Sequence, residues 1–198
     1  LFTFALGANA QTYYSNSYRK SRKLLKKQVK ELTQSFQEVQ SGSYKVPSQI
    51  DKNLYSDWYY LPPQKTASAR KLVIMTSGVH GVEAFAGSAL QLMFTEEVLP
   101  QINWKKTGLL LIHSLNPYGH KYKRRVTENN VDLNRNFLNH RDRPKIMNEK
   151  YPLFRSFLNP KTPAKDGLGH KITHYSQALF YVLKHSIAQF RQATLQGQ

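Results

Sequence analysis

Two short segments carry the residue types that could do chemistry. Ser77-Gly78-Val79-His80-Gly81-Val82-Glu83 sets a His and a Glu two residues apart, and Asn116-Pro117-Tyr118-Gly119 leads past Arg124 and Arg125 to Asp132-Leu133-Asn134-Arg135-Asn136. An imidazole nitrogen and a carboxylate oxygen are both ordinary zinc ligands, and at a strand-to-helix turn such a pair can face one cation. The planar fork of arginine suits a carboxylate or a developing oxyanion. Together the segments point to a metal-dependent hydrolase acting beside a carboxylate. Each also has a plainer reading: an exposed His and Glu at a helix start, where carboxylates are favoured anyway, and arginines solvated at a surface.

A third metal ligand is harder to find. The chain has no cysteine, so disulfides, a thiol nucleophile and thiolate ligands are excluded, and any metal must be held by His and carboxylate. Of the remaining histidines, His113 falls within a strand, His120 and His140 in polar loops, and His170, His174 and His185 in or near the last helix. A solvated or capping role is expected for each.

These residues need a frame. Lys71 to Thr76 (KLVIMT) and Gly108 to His113 (GLLLIH) are continuous apolar runs typical of strands buried on both faces. Ala84 to Leu99 between them has helical composition and meets Pro100. Strand, helix, strand implies a parallel pair with a crossover helix, hence an α/β class with a mixed, largely parallel sheet flanked by helices. In an open α/β sheet, ligands gather beyond the carboxyl ends of the strands, where both informative segments lie. Trp58 to Leu61 reads as a further strand stopped by Pro62-Pro63. From Ser17 to Gln40, apolar residues recur at three- and four-residue steps, predicting an amphipathic helix capped by Ser17 and ended by Ser41-Gly42-Ser43. A short helix is expected at Tyr151 to Leu158 and a longer one at Thr173 to Leu195, with an apolar stripe including Tyr175, Leu179, Leu183 and Ile187. The stretch from Asn139 to Lys171 otherwise reads as loops.

An apolar fraction of 40% with 12% aromatics argues for a folded protein rather than a disordered tail. The formal charge of +17 favours anionic partners if it is concentrated on one face. Part of it is, since Arg19, Lys20, Arg22, Lys23, Lys26, Lys27 and Lys30 crowd one stretch, and Lys121, Lys123, Arg124 and Arg125 form a second cluster beside the suspected site. Residues 1–10, LFTFALGANA, read as the remnant of a secretory signal with Ala8-Asn9-Ala10 as its small-residue cleavage site, or else as a buried N-terminal strand. The first reading implies export to the periplasm or the medium. No apolar run reaches the length of a spanning helix.

The two segments, SGVHGVEAFAGSALQ and NPYGHKYKRRVTENNVDLNRNF, resemble those of the zinc metallocarboxypeptidase superfamily. That superfamily has the carboxypeptidase A-like fold and includes succinylglutamate desuccinylase and aspartoacylase. Within it, the segments are most similar to a bacterial branch carried as a domain of unknown function. The resemblance is dense from Leu72 to Phe137 and thinner on either side. It implies a Zn2+ cofactor with His80 and Glu83 as two of three metal ligands. It also implies Arg125, with Arg124 as its close competitor, polarising the scissile carbonyl, and Asn134 with Arg135 holding the substrate's terminal carboxylate. The third ligand, a His on a later strand, and the general base, a Glu later still, have no visible counterparts. Two strong strands also make a narrow sheet for 198 residues, so 11–198 is expected to be the N-terminal part of one catalytic domain, incomplete at its C-terminus and inactive as it stands.

The expected function is zinc-dependent cleavage of an amide bond next to a free carboxylate, on a peptide or other small substrate. An N-acyl amino acid deacylase on the same fold is the alternative within the enzyme class. A non-catalytic or anionic-polymer-binding module is the alternative outside it, though no nucleic-acid-binding motif is present.

Overall fold

The computed structural model describes residues 12–32, 36, 38–63, 71–137, 148–160 and 167–195, and the chain divides into two compact units, Leu1–Thr127 and Glu128–Gln198. The first unit is built on helix α1 (Tyr18–Leu32), strands β1 (Gln40–Lys45), β2 (Tyr55–Leu61) and β3 (Lys71–Thr76), helix α2 (Ala84–Met93), strand β4 (Thr107–His113) and helix α3 (Pro117–Tyr122). Its sheet has the order β1-β2-β4-β3. The expected mixed α/β arrangement is present. Its parallel pairing is β3 with β4, running from Lys71 opposite Thr107 to Thr76 opposite Ile112. The β1–β2 and β2–β4 pairings are antiparallel.

Helices α1 and α2 pack on one face of this sheet. Leu25, Val29 and Leu32 of α1 and Leu92 of α2 meet Tyr59, Leu61, Leu109 and Leu111, the alternate residues of β2 and β4 that share that face. Trp104 closes the core, donating its indole N–H to the carbonyl of Leu99 at 2.8 Å. The crossover helix predicted to run to Leu99 continues past Met93 as a π-type turn, Phe94–Val98, and ends in a 3-10 turn, Leu99–Gln101. Pro100 sits at the start of that last turn, where its missing N–H breaks no helical hydrogen bond.

Two expectations are corrected in this unit. The described part of α1 stops at Leu32, Glu38 takes a left-handed φ of 60°, and the stretch read as the end of the helix is strand β1. Pairing with β2 outweighs local preference there: Ser43 Oγ donates to Asp57 at 2.5 Å, and Gly42 lies so close to Trp58 that a Cβ would come within 2.7 Å of the indole. The all-apolar β3 is not buried on both faces. Standing last in the sheet order, it pairs on one side only among the described residues, and Leu72, Val73 and Ile74 are exposed. Beyond β4, Asn116 caps the start of helix α3.

The second unit contains α4 (Tyr151–Leu158), α5 (Leu168–His185) and α6 (Ile187–Leu195). Asn148 caps α4 by accepting from the Tyr151 N–H at 3.0 Å and donates its side-chain amide to the Ala193 carbonyl at 3.0 Å. Phe154, fully buried, packs edge-on against Phe190 at 5.3 Å. The single helix expected over Thr173 to Leu195 starts earlier and is broken at Ser186, whose φ of 83° is incompatible with helix. The expected apolar stripe of α5 is exposed at Tyr175, Leu179 and Leu183.

Candidate functional site

Main-chain bonds beyond the carboxyl ends of β3 and β4 join the first segment to part of the second. The chain leaving β3 makes a left-handed turn at Gly78, φ 72°, a conformation that costs glycine little. Its Ser77 and Gly78 carbonyls accept from the N–H groups of Leu115 and Asn116 at 2.9 and 2.8 Å. Further on, the Gly81 and Val82 N–H groups donate to the carbonyls of Arg125 and Arg124 at 3.1 and 3.0 Å. The turn holding His80 and Glu83 is thus clasped at both ends by the chain around α3.

Asn116 joins the clasp from the other side. Its Oδ1 caps α3 by accepting from Gly119 N–H at 2.9 Å, and its Nδ2 donates to the Arg125 carbonyl at 3.3 Å. Pro117 at the first helical position is pre-set for that geometry. Lys123 then takes a left-handed φ of 54° and reverses the chain, so that the Arg124 N–H bonds the Gly119 carbonyl at 2.8 Å. Backbone contact is so close that a Cβ on Gly81 would stand 2.1 Å from the Gly119 carbonyl carbon.

Within this frame His80 Nδ1 lies 3.0 Å from Glu83 Oε1. His80 is nearly buried, while the Glu83 side chain is 67% exposed. Two ligands of a tetrahedral zinc, at bonds of about 2.1 Å, stand roughly 3.4 Å apart. A small pivot of the Glu83 carboxylate therefore lets both atoms face one ion, and the donor types suit zinc. Among the described residues, no group of three or more His, Asp or Glu gathers at one point. The Arg124 side chain is half-buried and that of Arg125 exposed. Lys121, of the same basic cluster, is ion-paired with Asp51, which also accepts from the Tyr122 hydroxyl at 2.9 Å. That pair holds α3 to the loop before β2.

Asn134 and Arg135 belong to the second unit. They form a 3-10 turn, Leu133–Arg135, capped by Asp132, whose Oδ1 accepts from the Asn134 N–H at 2.9 Å. Both side chains are exposed.

Residues 14–198 match a family described as "Protein of unknown function (DUF2817)". The chain belongs to this family. Among curated proteins none matches it.

The remaining histidines of this DUF2817 chain are placed differently from expectation in two cases. His120 is in helix α3, fully buried rather than in a polar loop. Its ring packs edge-on against Phe85 at 4.5 Å and Tyr18 at 5.3 Å, and its Nδ1 lies 3.1 Å from Ser114 Oγ. His113, in β4 as expected, is equally buried rather than solvated, with Nε2 2.8 Å from Ser88 Oγ. Among the described residues, His113 Nδ1 and His120 Nε2 have no hydrogen-bond partner. Burial pushes His113 down to about 4. Burial, helped by the nearby His113, pushes His120 down to about 3. Both are therefore neutral near pH 7. His140 lies outside the described residues. His170 and His174 are exposed and His185 half-buried, all three in α5 of the second unit.

Sequence reasoning missed the polar support beneath the clasp. Ser77 Oγ donates to Gln91 Oε1 at 2.9 Å, and Gln91 Nε2 donates to the carbonyls of Met75 and Ile112, tying α2 to the ends of both parallel strands. Nothing in the spacing of Ser77 and Gln91 advertises this. The Asn116-Pro117 pair was the available signal for α3, being a capping residue followed by proline.

Proposed function

We propose that this protein is a zinc-dependent hydrolase of the carboxypeptidase type, cleaving an amide bond next to a free carboxylate. The observation that carries the reading is the main-chain clasp, which ties the turn bearing His80 and Glu83 to the stretch bearing Arg124 and Arg125. In this reading His80 and Glu83 supply two of the zinc ligands. Zinc, when bound, lowers the pKa of a coordinated water and polarises a carbonyl. Arg125, or Arg124 beside it, donates hydrogen bonds to the carbonyl oxygen as negative charge develops there, the usual means of stabilising such a transition state. Arg135, with Asn134, recognises the substrate's carboxylate through paired N–H donors. A third ligand and a general base complete the site in this reading. If residues 1–10 are the remnant of a secretory signal, the substrate is met after export.

Metal analysis and competition titration of the chain and of His80→Ala test the metal half of the proposal. Zinc binding that His80→Ala weakens at least tenfold supports it, and equal affinity in both proteins refutes it. The carboxylate half is tested in a catalytically active family member carrying the equivalent of Arg135→Ala. Loss on free-carboxylate substrates that greatly exceeds loss on their amides is expected; equal losses sink the assignment. A panel of peptides against N-acyl amino acids separates peptidase from deacylase.

A further inference from the structure

Helix α1 is fixed to the fold by one buried side and by a bidentate ion pair from Arg22. Tyr18, Ser21, Leu25, Val29 and Leu32 are buried, and Arg22 NE and NH2 grip the Asp57 carboxylate at 2.5 and 2.7 Å. The other six cations, Arg19, Lys20, Lys23, Lys26, Lys27 and Lys30, are exposed. At about 100° per residue they fall within an arc of roughly 120° centred opposite the buried stripe, and Arg19, Lys23, Lys26 and Lys30 form a row about 16 Å long.

This is not the pattern of an ordinary solvated helix face, which interleaves both signs. Only Lys27 has an acidic neighbour on the helix, Glu31 at 3.6 Å. Arg19 and Lys23, Lys23 and Lys27, and Lys26 and Lys30 are like charges one turn apart, a destabilising spacing. The first turn contains no acidic residue to favour the helix dipole. Contact with an anionic surface would relieve all of these repulsions together.

We propose that the exposed face of α1 docks the protein on the surface of a bilayer carrying anionic phospholipids. The broad arc of charge suits a plane better than a single phosphate strand. Five of the six cations are lysines, flexible point charges rather than planar forks for a fixed acceptor. No aromatic side chain stands among them to stack on a base. Because the apolar stripe of α1 is committed to the core, the contact is electrostatic, without insertion, and reversible with salt. This inference is independent of the proposed hydrolysis.

The test is co-sedimentation of the full chain with vesicles of phosphatidylcholine containing about 30 mol% phosphatidylserine, or none. Retention on the anionic vesicles at about 0.05 M salt, lost at about 0.5 M, is expected. The triple variant Lys20→Gln, Lys23→Gln, Lys26→Gln should weaken binding to the anionic vesicles on the order of a hundredfold. A control with the same charge change elsewhere, Lys105→Gln, Lys106→Gln, Lys171→Gln, should stay within about twofold of the parent. Equal losses in the two variants would assign binding to net charge and overturn the proposal. Tighter binding to duplex DNA than to the vesicles at equal salt would overturn it as well.

Discussion

Acidification should destabilise the first unit through His113 and His120, and the size of the effect follows from their burial. In an unfolded chain a histidine titrates near 6.5, whereas in the fold burial holds His113 at about 4 and His120 at about 3. The unfolded state therefore binds more protons as pH falls below 6.5. Stability contributed by keeping these rings neutral is complete above that pH and is lost progressively as pH drops through the two folded values. At pH 5 each unfolded histidine is favoured by about 2 kcal/mol, so going from pH 8 to pH 5 the pair costs about 4 kcal/mol. Both tryptophans, Trp58 and Trp104, lie in the first unit, so urea unfolding followed by tryptophan fluorescence reports on that unit. The chain should lose about 4 kcal/mol between the two pH values through this pair, and His120→Phe, which keeps an aromatic ring against Phe85 and Tyr18, should lose about 2 kcal/mol less. Identical pH dependence in the two proteins would refute the reasoning, whatever the absolute stabilities.

Other substitutions probe separate parts of the frame. Asp57→Ala leaves Arg22 without its bidentate partner in a largely buried setting and should cost about 3–5 kcal/mol in urea unfolding. Burial would raise the Asp57 carboxyl, but the hydrogen bonds from Arg22 and Ser43 outweigh it and hold the group below the usual carboxylate value; the stability this pair contributes should fade only below about pH 4. Gly81→Ala forces a methyl group onto the Gly119 backbone, so a loss of at least about 1–3 kcal/mol is expected in the same assay, together with weaker zinc binding. Ile74→Lys, on the exposed edge strand, should change stability by no more than about 0.5 kcal/mol while lowering concentration-dependent light scattering, because a charged edge resists strand addition.

Much of this frame was legible because it rests on apolar pattern. Strand β3 runs from Lys71 to Thr76 and helix α4 from Tyr151 to Leu158, as the sequence suggests, since each contrasts sharply with its flanks. Strand β1 was not legible: Gln40-Ser-Gly-Ser-Tyr-Lys45 has no apolar alternation, and its identity comes from pairing with β2 and from Ser43 reaching Asp57. The exposure of β3 was equally hidden, because composition reports what a strand could bury and says nothing of its place in the sheet order. In the candidate site, the types and order of His80, Glu83, Arg124 and Arg125 were readable, whereas the bonds joining them are made by main-chain atoms that every residue carries. The burial of His120 was missed because its neighbours Lys121 and Lys123 are polar, while the ring turns inward one helical turn after Asn116.

The clasp also bears on how the chemistry of such a chain can change. Its bonds run from the N–H groups of Gly81 and Val82 to the carbonyls of Arg125 and Arg124, and from Leu115 and Asn116 to Ser77 and Gly78. All are peptide groups, indifferent to the side chains they carry, apart from the need for glycine at the closest approach. New functional groups can therefore be installed at positions 80, 83, 124 and 125 on a scaffold that keeps its alignment, which makes this corner suited to redesign for another ion or another reaction.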